Sequence, residues 1–240
     1  MMKKIIHKSE ERGGADHGWL NAKHSFSFAQ YFDPNKIQFG ALRVLNDDII
    51  APSMGFGTHP HDNMEIITIP LSGVLKHRDS MHNEWQEVKP GEVQIMSAGK
   101  GLQHSEINGS ATEELKLFQI WIMPNQKEVE PRYGQAHFKA EDRDNKLQTL
   151  VTGFSNNNSE SLKIHQDAIV SRIDLDENKS FIYNLTDERN GVYTLIISGT
   201  TEIEDTVLEN RDAIGISEAS SFKINTKTKT ELLFIEVPMF

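Results

Sequence analysis

Two short stretches of this chain carry groups that could hold a metal ion: His59-Pro60-His61 and His104-Ser105-Glu106. Each places two good ligands two residues apart. In a β-strand, side chains at i and i+2 share a face, so each pair can project into one interior from its own strand. Three imidazoles and one carboxylate suit borderline divalent metals and leave coordination positions free in a five- or six-coordinate ion. An open position separates a reactive site from a structural one. Glu65 has the strand parity of His59 and His61, so it competes with Glu106 for the carboxylate role. Pro60 fits an edge or bulged strand position and limits the freedom of the histidines on either side.

Composition narrows the chemistry further. The 240 residues include ten histidines and no cysteine, which excludes disulfides, thiolate metal sites and cysteine nucleophiles. Eight of the ten histidines precede residue 105, while His137 and His165 stand far apart without spaced partners. One metal per chain, held in the first half, is therefore expected. Lys and Arg number 25 against 35 Asp and Glu, a net charge of -10. Such a surface argues against direct nucleic-acid binding. No Gly-x-x-x-x-Gly-Lys-Ser/Thr loop and no Gly-x-Ser-x-Gly elbow occurs. The first residues, Met1-Met2-Lys3-Lys4-Ile5-Ile6-His7, are basic but lack the apolar run of a signal peptide. No stretch approaches the roughly 18 apolar residues of a membrane span, and a cytoplasmic protein is expected.

The elements that would position these ligands are short strands. Alternating or apolar runs at 39–45, 65–71, 93–96, 117–122, 192–197 and 232–237 sit between Gly, Pro, Asn and Asp punctuation. Long helical periodicity is scarce, so the expected class is all-β, as barrels or sandwiches. A faint repeat supports two related units. Ile66-Ile67-Thr68-Ile69 leads to Ser72-Gly73, and Tyr193-Thr194-Leu195-Ile196-Ile197 leads to Ser198-Gly199. Later runs at 115–118 and 232–235 lead in the same order to Pro124 and Pro238. The polar stretch 124–144 reads as the connection between the units.

Longer blocks resemble the pirin family of the cupin superfamily, with its bacterial, quercetinase-like branch as the nearest match. They include His24-Ser25-Phe26-Ser27-Phe28-Ala29, Phe39-Gly40-Ala41-Leu42-Arg43-Val44-Leu45 and Gly55-Phe56-Gly57-Thr58-His59-Pro60-His61. His77-Arg78-Asp79-Ser80, Pro90-Gly91-Glu92-Val93 and Gly101-Leu102-Gln103-His104-Ser105-Glu106 follow in the family's order. Met81-His82-Asn83 departs from it, standing where a small Gly-containing turn is expected.

The resemblance implies a bicupin of two tandem jelly-roll-like β-barrels. The expected division is a metal-binding barrel at 1–130 and a barrel without a metal at 131–240. It gives the ligand roles to His59, His61, His104 and Glu106 and points to one divalent transition metal. Iron is the expected metal, with manganese, nickel, cobalt, zinc or copper compatible with the same donors.

It also implies a quercetin 2,3-dioxygenase-like oxidoreductase that opens a flavonol-like aromatic substrate with dioxygen and releases carbon monoxide. The alternative is a non-enzymatic, metal-binding pirin-type regulator acting through a protein partner. Glu106 is expected to act also as the general base that takes the substrate proton. With four ligands already assigned, Glu65 is expected to orient them from behind rather than bind the metal, a role that typically shifts affinity or activity about 10–100-fold. His24 and His77 are expected to be structural. Met54, Phe56, Met96, Phe118 and Met123 are candidates for an apolar pocket.

Overall fold

The computed structural model describes residues 2–240 and is nearly all β, with two short 3-10 turns at Ser9–Glu11 and Ala140–Arg143. The period-two patterns resolve into two jelly-roll-like units of the cupin type. Each unit is a seven-stranded sheet packed on a four-stranded one, two facing sheets rather than one closed barrel.

In the first unit the large sheet centres on Glu65–Ser72, Leu115–Ile122 and Leu42–Ile50. Its small sheet runs Gly55–His61, Leu102–Asn108, Leu75–Asp79, Gln86–Val88. In the second unit Asn190–Ser198, Thr230–Pro238 and Ile169–Leu175 are the matching centre. The repeat read from sequence thus corresponds to equivalent neighbouring strands. Gly73 and Gly199 end equivalent strands at φ +80 and +96, where a Cβ would meet the carbonyls of Glu114 at 2.6 Å and Lys229 at 2.4 Å. Glycine is needed at both turns.

Alternation gives each large sheet two faces, and one face of each is spent on the other unit. Ile67, Ile69, Phe118, Ile120 and Ile122 share one apolar core with Val170, Tyr193, Leu195, Leu233 and Ile235. Polar ties cross the same seam. Arg211 Nε donates to Asp47 Oδ2 at 2.7 Å, and its guanidinium lies 5.2 Å from the Phe118 ring centre. The opposite faces point into the two jelly rolls, and there the units diverge. The second is filled by Tyr183, Phe222, Phe234, Ile196 and their apolar neighbours. The first is divided between two smaller apolar clusters, around Leu75 and Leu117 and around Ile66 and Met96. Between these clusters lies polar space.

The units also exchange edges. Lys3–His7 pairs with Ala213–Ser217 of the second unit, while Arg132–His137, inside the stretch expected to be a connection, pairs with Glu92–Ser97 of the first. Both strands cross the expected division at residue 130. Fragments 1–130 and 131–240 would each bare a sheet edge and half of the shared core. The expected outcome is that neither fragment alone gives a cooperative melt by circular dichroism, whereas the two refolded together do. A cooperative transition from either fragment alone would show that the seam is dispensable.

Candidate metal centre

The two ligand pairs lie on adjacent antiparallel strands. Gly55–His61 pairs with Leu102–Asn108 so that His104 sits opposite His59. The register then shifts, with an extra residue on the first strand, and Glu106 falls opposite Phe56. On its other side Leu102–Asn108 pairs without a shift, placing Asp79 opposite His104 and His77 opposite Glu106. Residues paired across strands share a face, so His77 and Asp79 join the histidines and Glu106 on the inner side.

The ligand atoms of His59, His61 and His104 all lie within 4.8 Å of one another, the one such cluster among the described residues. His59 Nε2 and His104 Nε2 are 2.9 Å apart. His59 Nδ1–H donates to the Gly57 carbonyl at 2.8 Å, which leaves its Nε2 lone pair turned toward His104. Behind His104, its Nδ1 lies 3.2 Å from His77 Nε2. His77 Nδ1 in turn is 4.0 Å from Asp79 Oδ2. Asp79 Oδ1 is held by the backbone N–H groups of Met81 and His82, each at 2.8 Å. The departure at Met81-His82-Asn83 is thus a turn tied to the carboxylate behind the imidazoles.

Burial favours the neutral form of His61 and His104. It lowers His61 to about 4, with neighbouring His59 adding to the effect. Burial and then His59, His77 and His61 push His104 down to about 2. Neutral imidazole is the form that binds a metal.

Glu106 stands apart from the three-histidine cluster but lines the same cavity. Burial raises its carboxyl to about 7, against the hydrogen bond from Gln119. Gln119 Nε2 donates to Glu106 Oε2 at 3.1 Å, and Gln119 Oε1 accepts from Thr68 Oγ1 at 3.1 Å, which fixes the amide's orientation. Converging imidazoles with a carboxyl alongside fit a divalent metal of the nitrogen- and oxygen-preferring kind.

The cavity in front of the imidazoles measures about 480 Å³, within the range of small-molecule sites. Its walls include Trp19, Phe28, Phe56 and Trp121, with Asn46, Asp48 and Gln119 as polar groups. A larger depression of about 710 Å³ lies over Lys8, Asp212 and Lys229 and contains no histidine. Of the pocket residues expected from sequence, only Phe56 lines the cavity. Phe118 faces the seam between units, Met96 packs with Ile66 and Leu102, and Met54 is exposed. Gln119, Asp48 and Trp121 were missed. Their signal was present as polar or amphipathic residues at alternate positions of otherwise apolar strands.

Glu65 lies elsewhere than expected. The chain turns at Asn63, whose φ is +45, and Glu65 opens a strand of the large sheet, so parity counted from His61 does not carry through. Glu65 shares the face of Ile67 and Ile69 toward the second unit. There Ser97 Oγ donates to its Oε2 at 2.7 Å, and burial raises its carboxyl to about 7 despite that bond, the His165 backbone and Arg132. The side chain behind a candidate ligand is His77, which was expected to be only structural. His24 donates from Nδ1 to Asn46 Oδ1 at 2.8 Å and is not in the cluster.

Comparison with known proteins agrees with this architecture. Residues 6–122 match the family described as Pirin, and residues 153–237 match the quercetinase C-terminal cupin domain. The quercetin 2,3-dioxygenase of Escherichia coli is 41% identical over 233 residues, covering 97% of this chain and 98% of that one. A pirin-like protein of Caulobacter vibrioides is 42% identical over 227 residues, covering 95% and 96%. Among solved structures, the bacterial pirin YhhW of Escherichia coli in complex with nickel(II) superposes with a TM-score of 0.92 at 38% identity, covering 99% of this chain and 100% of that one. With both halves matched and relatives this similar along their whole length, the chain belongs to the pirin family.

Proposed function

We propose that this protein is a metal-dependent dioxygenase of the quercetinase type, acting on a flavonol-like aromatic with dioxygen and releasing carbon monoxide. The observation that carries the reading is the convergence of three imidazoles, their ligand atoms within 4.8 Å, on an aromatic cavity that also holds the Glu106 carboxyl. His59, His61, His104 and Glu106 would hold one divalent metal per chain. Iron is the metal proposed, and nickel(II), present in the YhhW structure, is the first alternative. When bound, the ion supplies Lewis-acid charge beside the substrate oxygen.

The remaining work falls to side chains. Trp19, Phe28, Phe56 and Trp121 offer flat apolar surfaces to a planar ring system and keep water from it. Glu106, with its carboxyl near neutrality, suits the transfer of a hydroxyl proton at physiological pH. Gln119 keeps that carboxylate aimed while the proton moves. Elemental analysis of the native protein, followed by flavonol turnover with each metal restored, tests the reading. Turnover that disappears on chelation and returns with metal supports it. A fully metallated protein that turns over no flavonol would point instead to a metal-binding regulator that works through a protein partner.

Two expectations probe the ligands themselves. If Glu106 binds the ion, its proton must leave first. Affinity should therefore fall as pH drops through about 7, by up to about tenfold per pH unit, and Glu106→Gln should flatten that dependence. The same variant, fully metallated, should still bind flavonol but turn it over at least about a hundredfold more slowly if Glu106 is also the base. For His77, which sits behind His104, calorimetry of His77→Ala should give metal affinity about 10–100-fold weaker. His77→Gln should recover part of the loss.

A further inference from the structure

The cavity wall includes a buried carboxyl that the metal reading does not use. Alternation along Leu42–Ile50 turns Asn46 and Asp48 to the cavity while Leu45 and Asp47 face the second unit. Among the neighbours of Asp48, the Trp121 indole N–H also lacks a partner but can only donate, while the two amides are engaged. Asn46 accepts from His24, and Gln119 is held between Thr68 and Glu106. Asp48 differs. It is only 4% exposed, and its Oδ1 has no hydrogen-bond partner among the described residues. A buried carboxyl oxygen without a partner costs the fold stability, so the position of Asp48 on the cavity wall points to a ligand group that its carboxyl can meet.

Resting on the reading of this cavity as a flavonol-type site, we infer that Asp48 recognises a ring hydroxyl of the substrate. The residue would thereby select polyphenols over less hydroxylated aromatics. The surroundings narrow the ligand class. Four aromatic side chains suit a flat ring, and the cavity wall includes no Lys or Arg. Two carboxyl groups, Asp48 and Glu106, share the space, so an aromatic acid would bring a third carboxyl with only the metal to meet it. A neutral polyphenol brings hydroxyl donors instead. A site built to bond a hydroxyl discriminates strongly against an analogue that lacks it, because its own polar group is then left unpaired.

The test is ligand affinity of full-length protein loaded with nickel(II), freed of excess metal and held without oxygen, so that binding is read apart from turnover. Quercetin is compared with 3-hydroxyflavone, which lacks its other ring hydroxyls. Wild type should prefer quercetin by about tenfold or more. Asp48→Ala should reduce that preference to about threefold or less by weakening quercetin alone, and Asp48→Asn, which keeps an acceptor, should retain part of it. Metal-free Asp48→Ala should also melt higher than wild type, by about 2 °C or more, since an unpartnered buried carboxyl has been removed. A merely structural aspartate would give the opposite shift.

An unchanged preference in Asp48→Ala, a lowered melting point with both ligands weakened equally, or a wild type that binds neither ligand or shows no preference overturns the inference. A wild type that binds with the expected preference, lost in Asp48→Ala, yet never turns quercetin over refutes the dioxygenase reading and leaves the role of Asp48 standing.

Discussion

The structure depends on the apolar seam between the two large sheets. Burial of side chains such as Phe118, Ile120, Tyr193 and Leu233, each fully buried, is the main term holding the units together. Truncating one such aromatic to alanine typically costs about 3–5 kcal/mol. The seam also has a geometric consequence. A strand has only two faces, so committing Phe118, Ile120 and Ile122 to the seam turns Leu117, Gln119 and Trp121 inward. The same rule sends Leu45 to the seam and Asn46 and Asp48 to the cavity. Cavity chemistry is in this sense the complement of seam packing.

The two units show what one architecture does with different interiors. In the second, stacked Tyr183 and Phe222, with ring centres 5.3 Å apart, and Phe234 close the space between sheets. A fully buried carboxylate there, Glu236, is occupied by Tyr183, Thr186 and Asn190. In the first, the inner face keeps polar groups in chains. Thr68 orients Gln119, which orients Glu106. Asp79 and His77 stand in line behind His104. These chains fix the side chains around the imidazoles through the protein's own polar contacts. Preorganisation of this kind lowers the cost of assembling a metal site.

Much of this was legible in the sequence, for reasons that differ from element to element. The strands around 65–71, 117–122 and 232–237 were readable because apolar runs between turn residues leave few alternatives. The run at 39–45 was displaced, since Gly40 sits at positive φ in a turn and the strand starts at Leu42. Glu65 was misplaced because parity holds only within one strand, and the turn at Asn63 restarts the count on another sheet. Strand exchange was invisible. Lys3–His7 and Arg132–His137 are polar edge strands whose partners are defined by backbone hydrogen bonds, which leave little trace in residue type.

The amino-acid sequence by itself determined the all-β class, the repeat, the family, and two histidine-bearing strand segments with a shared inward face. Those follow from local periodicity and motif, each contained in a few consecutive residues. Only the tertiary structure decided that His59 and His104 stand opposite each other with their Nε2 atoms 2.9 Å apart. It likewise decided that His77 rather than Glu65 backs the cluster, and that Asp48, buried with an unpartnered Oδ1, stands on the cavity wall. Each of these depends on which strand pairs with which and on which face the seam consumes. Pairing and packing join residues far apart in the chain, and no local pattern encodes them.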